Sequence, residues 1–297
     1  MKAADRRAGQ TMARSYNWCS HCVGFIPMRL IDFPIPQDLQ AWIERISLLE
    51  LGAGEVMPVF AGARVHLGFV LSGSVSFGVP QQFWQAEEAV CWGAVAGGSA
   101  VEAGPQGARG ALLKLAGGVA PAVLGCSAEA CAGQVLALQA FWPHWRPAPV
   151  QDFSGQLEHV WSQLRQAISC RAAAAWSPRL CAQAMASFDV LPVEGVADSL
   201  GVSRATLERQ IRRNFGLTPK QLSRIQRFYR ALAALNRLDA AALAVEAGYY
   251  DQSHMIAEFN ELAGQTPARL LQMAANDADL LRLYGANAVA VGRHSGR

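Results

Sequence analysis

Two stretches with one pattern decide the fold: Val196-Ala-Asp-Ser-Leu-Gly-Val-Ser-Arg-Ala-Thr-Leu-Glu-Arg209 and Leu243-Ala-Val-Glu-Ala-Gly-Tyr-Tyr-Asp-Gln-Ser-His254. Each places a small residue one helical turn before a glycine, and each is followed by Gly-x-Thr-Pro, at 216–219 and at 264–267. The small residue lets two helices approach closely, and the glycine can adopt a positive φ in the turn between them. The pattern is typical of a helix-turn-helix, and its repetition predicts two such units in tandem.

In the first unit, the pattern predicts a support helix at 193–200 and a recognition helix at 204–215. Ser203 is a suitable N-cap, and apolar residues that face the core recur every four positions from Leu207 to Phe215. The opposite face presents arginine and threonine, which suit base edges and phosphates in a major groove. A merely solvated basic face is the alternative, which the helix-turn-helix context disfavours. The expected DNA contacts are Ser203, Arg204, Thr206, Arg209 and Arg213.

A long helix is predicted to join the units, because Thr218-Pro-Lys-Gln221 forms a capping box with proline at the first helical position. Lys220 and Arg224 lie on a basic stripe of this helix, for which phosphate contact and plain solubility both remain open. The second unit is predicted to have a support helix at 240–247 and a recognition helix at 251–261. Glutamine can pair with adenine. The candidate DNA contacts at the start of this helix are Gln252, Ser253 and His254.

Charge separates the two units. Residues 193–237 contain nine basic and three acidic side chains, a net charge of +6, whereas residues 238–272 contain one basic and five acidic side chains, a net charge of −4. The phosphates of a duplex attract the positively charged first segment far more strongly than the negatively charged second one. The two units are therefore expected to bind DNA unequally.

The part that precedes the repeat reads as a β-rich domain. Short apolar runs broken by glycine and proline predict a small antiparallel sheet or barrel, whose mouth can hold a small ligand. The helical spacing of residues 39–51 predicts a helix that opens this domain. The five short runs are Val56–Phe60, Val65–Leu71, Val75–Val79, Val90–Val95 and Ala111–Leu115, and the candidate pocket residues are His66, Trp84, Cys91, Trp92 and Glu102, each of which has core or rim as its alternative role.

The sequence thus predicts an α+β fold: a small antiparallel β-barrel-like domain, then an all-α domain with two helix-turn-helix units joined by a long helix. Between them, an amphipathic helix at 156–173 is expected to pack under the barrel rather than to form a dimer seam, because its apolar pattern is short of three heptads. A further helix is predicted at 178–190. The expected division is a disordered extension at 1–27, a β-rich sensor-like domain at 28–150, a helical linker at 151–190, a DNA-binding domain at 191–275 and a tail at 276–297.

The repeated units resemble the AraC/XylS family of bacterial transcription regulators. Gly248-Tyr-Tyr-Asp-Gln-Ser-His254 with Glu258-Phe259 is similar to the family's second-unit signature, and Ser203-Arg-Ala-Thr-Leu-Glu-Arg209 resembles the first. Ala122-Val-Leu-Gly-Cys-Ser-Ala128 is more weakly similar to a sensor-like domain in one branch of that family. Members of this branch usually carry basic residues where this chain has Ala257 and Asn260.

The resemblance implies a DNA-binding transcription regulator that acts in the cytoplasm and places two recognition helices in successive major grooves. It implies DNA contacts by Arg204, Thr206, Arg209 and Arg213 of the first helix and by Asp251, Gln252, Ser253 and His254 of the second. Its implied partners are double-stranded DNA and RNA polymerase, with a small-molecule effector and a homodimer as further options. No membrane partner is expected, since no apolar run reaches the roughly 18 residues that a membrane span needs.

The alternatives to a DNA-binding regulator rest on cysteine chemistry. A redox or metal sensor could use Cys19 and Cys22, but zinc needs about four ligands and no second pair lies nearby. A DNA-repair alkyl acceptor, the enzyme reading, uses cysteine in a Pro-Cys-His setting, which none of the seven cysteines has. Neither a metal site nor a cofactor nor an enzymatic activity is therefore expected. A pure protein-interaction module is disfavoured by the arginines concentrated on one helix.

Overall fold

The chain combines an antiparallel sheet with a helical domain, as the sequence predicts. The computed structural model describes residues 29–78, 82–85, 88–146, 153–171, 176–276 and 283–284. The predictions for residues 1–27, which include Cys19 and Cys22, and for most of the tail lie outside these ranges.

Eight strands build the sheet within the described residues, in the order β1-β2-β7-β4-β6-β8, with β3 paired to β7 and β5 paired to β4. All of these pairings are antiparallel, and the end strands β1 and β8 do not pair with each other, so the sheet is open rather than a closed barrel. The strands are β1 (Arg29–Asp32), β2 (Ile43–Leu51), β3 (Val56–Val59), β4 (His66–Phe77), β5 (Gln82–Gln85), β6 (Ala89–Trp92), β7 (Ser99–Leu115) and β8 (Val135–Ala137).

The predicted helix at 39–51 is wrong, because this segment is mainly strand β2. Ile46 faces one hydrophobic core, whereas Leu49 and Leu51 face another on the opposite side of the sheet. A strand that is covered on both faces does not alternate between apolar and polar residues. Its register also shifts between Ile43 and Arg45. Both effects produce apolar spacings of three and four that imitate a helix.

Some predicted strands are parts of longer ones. The runs at 65–71 and 75–79 belong to the single strand β4, which keeps its pairing with β7 across two register shifts near Gly73. The run at 111–115 is only the end of β7, whose first half is rich in glycine and polar residues and carries little apolar signal. Val79 lies outside the described residues.

Two helices of the repeat, α5 and α6, begin at the predicted caps. Ser203 and Thr218 accept hydrogen bonds from the backbone amides of Thr206 and Gln221, and the capping box at Thr218 is complete. Gly201 and Gly248 adopt φ of 64° and 79°, which the two turns require. The helices are α1 (Ala120–Leu124), α2 (Phe153–Arg171), α3 (Pro178–Val190), α4 (Val193–Ser199), α5 (Arg204–Phe215), α6 (Pro219–Ala234), α7 (Ala240–Ala247), α8 (Gln252–Ala263) and α9 (Pro267–Asn276).

Two hydrophobic cores lie on opposite faces of the sheet. One face packs against α1 and α2, through residues such as Trp161 and Leu164, so α2 lies under the sheet as expected. The other face shares a core with helices α3 to α9, through residues such as Phe60 and Phe228. The segment predicted as a linker is therefore divided, since α2 belongs to the first core and α3 to the second. The sheet lies between the two layers of helices.

Candidate nucleic-acid interface

Helix α5 presents a basic surface that its own capping holds in place. Leu207 and Ile211 are fully buried, and the opposite side exposes Arg204, Arg209 and Arg213. Arg204 pairs at 3.0 Å with Glu194 of α4, and both side chains are more than half exposed, so water screens this pair strongly. Ser203 is both exposed and the N-cap, and Thr206 is half-buried. The predicted DNA contacts of the first unit therefore lie around one exposed helix face.

Helix α8 begins one residue later than predicted, because Asp251 is its N-cap. The Asp251 carboxylate accepts a 2.7 Å hydrogen bond from the amide of His254. Gln252, Ser253 and His254 form the first turn and are exposed. Residue Tyr250, directly before the cap, is 92% exposed. Tyr250 was not among the predicted contacts, although it is a large aromatic residue directly before the predicted recognition helix.

The basic stripe of α6 is divided between solvent and ion pairs. Lys220 is exposed. Arg224 pairs at 2.6 Å with both Glu258 and Glu261 of α8, and Arg227 pairs at 3.3 Å with Glu258. The Arg227 guanidinium also lies 4.9 Å from the centre of the Tyr249 ring, and burial raises the pKa of the Tyr249 hydroxyl. Arg224 therefore already has protein partners, which phosphate would have to share or displace.

Residues 196–273 match the sequence profile of a helix-turn-helix domain family. The chain carries an AraC-type helix-turn-helix domain. The resemblance deduced from the two repeated stretches is thereby confirmed for this part of the chain. A search of the curated proteins found no match.

Solved structures similar to the chain include ToxT from Vibrio cholerae, at 8% identity over 83% of this chain and 98% of ToxT, with a TM-score of 0.46. A DNA-binding transcriptional dual regulator from Escherichia coli K-12 is 22% identical over 32% of this chain and 91% of its own, with a TM-score of 0.29. The C-terminal domain of AraT, a response regulator from Geobacillus stearothermophilus, is 27% identical over 32% and 80%, with a TM-score of 0.28.

The sheet domain contacts the C-terminal ends of both recognition helices. The Ser127 hydroxyl donates to the carbonyl of Arg213 on α5, and Glu129 lies 3.7 Å from Arg212. At α8, the amides of Ala61 and Gly98 donate to the carbonyls of Leu262 and Glu261, at 2.6 and 2.9 Å. The backbone approach is close, since a Cβ on Gly98 would lie 2.8 Å from the amide nitrogen of Gly264. A shift of the sheet domain would therefore change contacts at both recognition helices, α5 and α8.

An open cleft of about 750 Å³ separates α5 from the sheet domain. Arg209, Arg212 and Arg213 line it from the side of the helix, and Ser127 and Glu129 line it from the other side. Two of the predicted DNA contacts, Arg209 and Arg213, therefore face the sheet domain.

A second, smaller space lies where the sheet meets α6. It measures about 50 Å³ and is lined by His66 and Trp92, two of the five predicted pocket residues, whose ring centres are 5.8 Å apart. The other three do not line it: Cys91 is buried in the opposite core, Trp84 is half-buried on β5, and Glu102 is exposed on β7.

Buried charges that were not predicted from the sequence surround this interdomain cavity. Arg64 and Lys114 line it, and each lies 2.9 Å from one oxygen of Glu44. Burial raises the pKa of Glu44, but the attraction of both cations outweighs this effect and lowers it to about 2. Burial lowers the pKa of Lys114 to about 8, and burial followed by repulsion from Lys114 lowers that of His66 to about 3. A lysine inside the apolar run Ala111-Leu-Leu-Lys-Leu115 was the available signal.

The cysteines in the part of the chain that the structure describes form no metal-binding cluster, although the thiols of Cys91 and Cys131 share a side-chain hydrogen bond. The five cysteines described there are free thiols, and no group of three or more His, Cys, Asp or Glu residues is arranged to hold a metal ion. Burial raises the pKa of the Cys181 thiol to about 12, which keeps it protonated. None of the helices in the described ranges is both long and apolar enough to cross a membrane.

Proposed function

We propose that this chain is a sequence-specific transcription regulator that places α5 and α8 in successive major grooves, about 34 Å apart on one face of the duplex. The observation that carries the proposal is the pair of helix-turn-helix units on either side of α6, each with an exposed first turn on its second helix. Arg204, Thr206 and Arg209 would contact bases and phosphates in one groove, with Ser203 and Arg213 beside them. Gln252, Ser253 and His254 would do so in the next groove, next to Asp251.

The remaining polar residues suit phosphate contacts. The exposed Lys220 can reach the backbone from the start of α6, and the Tyr250 hydroxyl can do so from the start of the second recognition helix. Arg224 is proposed as a contact that first has to leave one of its two glutamates. No enzymatic activity is part of the proposal, which places the protein in the cytoplasm with RNA polymerase as its partner.

The two units are proposed to contribute unequally. Helix α8 contains no lysine or arginine, and the nearest cations on α6 are engaged with Glu258 and Glu261. Because phosphate neutralisation supplies much of the affinity for DNA, the first unit should provide most of the binding energy and the second a modest discrimination between sequences.

The sheet domain is proposed to control DNA binding through a small ligand. It touches the ends of α5 and α8, so a ligand that changes its packing would change the presentation of both helices. The proposed division remains a sensor-like part at 28–150, a helical connection at 151–190 and a DNA-binding part at 191–275.

The first experiment is binding of the full chain to a pooled library of genomic fragments at two salt concentrations. Enrichment of one asymmetric sequence that spans about two turns of the duplex is the expected result. Binding that responds to salt but shows no sequence preference would contradict the proposal.

The inequality of the two units is tested by Arg209→Ala and Gln252→Ala on the enriched sequence. Arg209→Ala should weaken binding and reduce the salt slope by about one, as for a lost phosphate contact. Gln252→Ala should relax the preference at one base pair and leave the salt slope unchanged. Matched controls are Arg165→Ala on α2 and Gln272→Ala on α9, since both residues are exposed and lie outside the proposed interface. Equal losses and equal salt slopes for the two variants would show that the units are equivalent.

A further inference from the structure

Two buried thiols of the sheet domain lie side by side, close to the end of recognition helix α5. Cys91 belongs to strand β6 and Cys131 follows the 3₁₀ turn Ala128–Ala130, and both are fully buried in the core that faces α1 and α2. Their side chains share a hydrogen bond, which lowers the pKa of Cys131 because the Cys91 thiol stabilises the Cys131 thiolate. Two nucleophilic side chains are therefore already in contact.

The backbone segments that carry the two thiols pack directly against each other. The amide of Gly93 donates to the carbonyl of Gln134 at 3.1 Å, and the amide of Gly133 donates to the carbonyl of Ala94 at 2.7 Å. A Cβ on Gly93 would lie only 1.8 Å from the carbonyl oxygen of Cys131. A disulfide needs its sulfur atoms at about 2.05 Å. Because the segments are hydrogen-bonded and the thiols touch, only a short movement is needed to reach that distance.

The segment 127–132 connects Cys131 to the recognition helix. The Cys131 thiol donates to the carbonyl of Ala128 at 3.3 Å. The same carbonyl lies against the C-cap of α5, since a Cβ on Gly216 would be 2.8 Å from its oxygen. This contact adds to the hydrogen bond and the ion pair that already join this segment to α5. A movement of Cys131 toward β6 would therefore weaken its bond to Ala128 and shift the support of the C-terminal end of α5.

We propose that Cys91 and Cys131 form a reversible disulfide in response to hydrogen peroxide, and that this bond weakens DNA binding by displacing the end of α5. The proposal rests on the proposed function in one respect only, namely that α5 binds DNA. Two core thiols that merely fill space are the alternative, and such a pair would leave DNA binding insensitive to oxidation.

The chemistry consumes one peroxide and two thiols. The Cys131 thiolate attacks one peroxide oxygen, the O–O bond breaks, and the hydroxide that leaves takes up the former Cys131 proton, so that water and a sulfenic acid result. The Cys91 sulfur then attacks the Cys131 sulfur, the S–O bond breaks, and the hydroxide leaves with the Cys91 proton as a second water. Two thiols are oxidised to one disulfide and one peroxide is reduced to two waters. A dithiol reductant reverses the bond by thiol–disulfide exchange.

Access to the pair requires local opening, because both thiols are fully buried and reactive thiols are usually exposed. The segment that has to open lies between Gly125 and Gly133, whose φ values of 81° and 69° are left-handed, and it contains only one short 3₁₀ turn. Such a segment opens at a lower free energy than a strand inside a sheet. Oxidation of the pair should therefore be slower than that of the exposed Cys170.

The first test is peptide mapping by mass spectrometry of the full chain after treatment with hydrogen peroxide under native conditions, with the remaining thiols blocked before digestion. A peptide pair linked through Cys91 and Cys131 is expected, and dithiothreitol should remove it. Absence of this pair, or a link from either cysteine to Cys126 instead, would overturn the proposal. The measurement needs neither a variant nor DNA.

The second test compares the reduced and the oxidised protein in binding to the enriched sequence. The chain carries Cys19→Ser and Cys22→Ser, so that these two thiols do not contribute. Oxidation should weaken binding about fivefold or more, the usual size of a coupling between two sites, and dithiothreitol should restore it. A linked peptide pair without any change in affinity would show that the bond does not reach α5.

Cys91→Ala in the same chain removes the bond and should abolish the response to peroxide. Cys170→Ala is the matched control, since Cys170 is exposed on α2, and it should keep the response. Thermal unfolding of the reduced variants shows whether they are folded, and the recovery by dithiothreitol without these substitutions stands if they are not. A response that persists in Cys91→Ala would assign it to other thiols and overturn the proposal.

The disulfide and the DNA-binding function can fail separately. Peptide mapping involves no DNA, and the fragment-binding experiment uses the reduced chain. Sequence-specific binding by the reduced protein together with no linked peptides would overturn the disulfide alone. Linked peptides together with no sequence preference would overturn the regulator alone.

Discussion

Glu258 shows how a single charged residue can fix the position of a recognition helix. It lies between the buried residues Met255 and Phe259 of α8 and is itself only 7% exposed. Its carboxylate forms ion pairs with Arg224 at 2.6 Å and with Arg227 at 3.3 Å, both on α6. An apolar residue would fill the same space but would not define the angle between the helices through hydrogen bonds. The carboxylate therefore attaches the second unit to the helix that joins both units.

Glu258→Gln should lower the free energy of unfolding by about 2 kcal/mol, because it leaves two partly buried guanidinium groups without their shared carboxylate. Glu261→Gln is the matched control. Its carboxylate also lies 2.6 Å from Arg224 but is 53% exposed, so the expected loss is below about 0.5 kcal/mol. Urea unfolding of both variants measures the difference. Equal losses would mean that the burial of Glu258 has no energetic consequence.

At the scale of the element, the start of α8 distinguishes two roles for Asp251. Asp251 is predicted to contact DNA, but in the structure it is the N-cap of α8. Its carboxylate accepts a hydrogen bond from the backbone amide of His254. Asp251→Ala should lower stability by about 1 kcal/mol through loss of the cap, whereas Asp251→Asn should keep most of it, because asparagine caps equally well. Thermal unfolding and fragment binding are measured on both. If Asp251→Asn changes the preferred base pair while stability is kept, Asp251 reads a base in addition to capping.

Elements were predictable from the sequence where their signals are local. The caps at Ser203 and Thr218 and the turn glycines Gly201 and Gly248 are determined by neighbouring residues, and the recognition helix at 204–215 has the predicted bounds. Strand β2 was not predictable in this way, because its two faces meet different cores and its apolar spacing depends on that distant packing. The length of β7 was hidden for a related reason: its glycine-rich half is held by pairing with β3 and β4 rather than by its own apolar residues.

At the scale of the whole molecule, the interdomain cavity could not be read from any one segment. Arg64, Lys114 and Tyr229 are far apart in sequence and meet only because one face of the sheet packs on α6. Sequence periodicity shows that a face is apolar but not which element covers it. The two recognition helices, in contrast, were predicted with most of their exposed residues, since each is a local unit that repeats.

The cleft between α5 and the sheet domain predicts that DNA binding depends on the sheet domain as well as on α5. The Glu129 carboxylate lies 3.7 Å from Arg212 of α5. If the sheet domain stays packed against α5 when DNA binds, this carboxylate would lie beside the phosphates that α5 approaches. Glu129→Gln should then raise the affinity for every DNA sequence by about threefold at low salt, as expected for removal of one screened repulsion of less than 1 kcal/mol, and the gain should fade at high salt.

Glu50→Gln makes the same change in charge outside the cleft and should leave binding unchanged. The measurement is a salt titration of affinity for a specific and a random duplex. An unchanged affinity of the Glu129→Gln protein at low salt would mean that the sheet domain moves away from α5 when DNA binds, because a carboxylate that remained in the cleft would repel the phosphates.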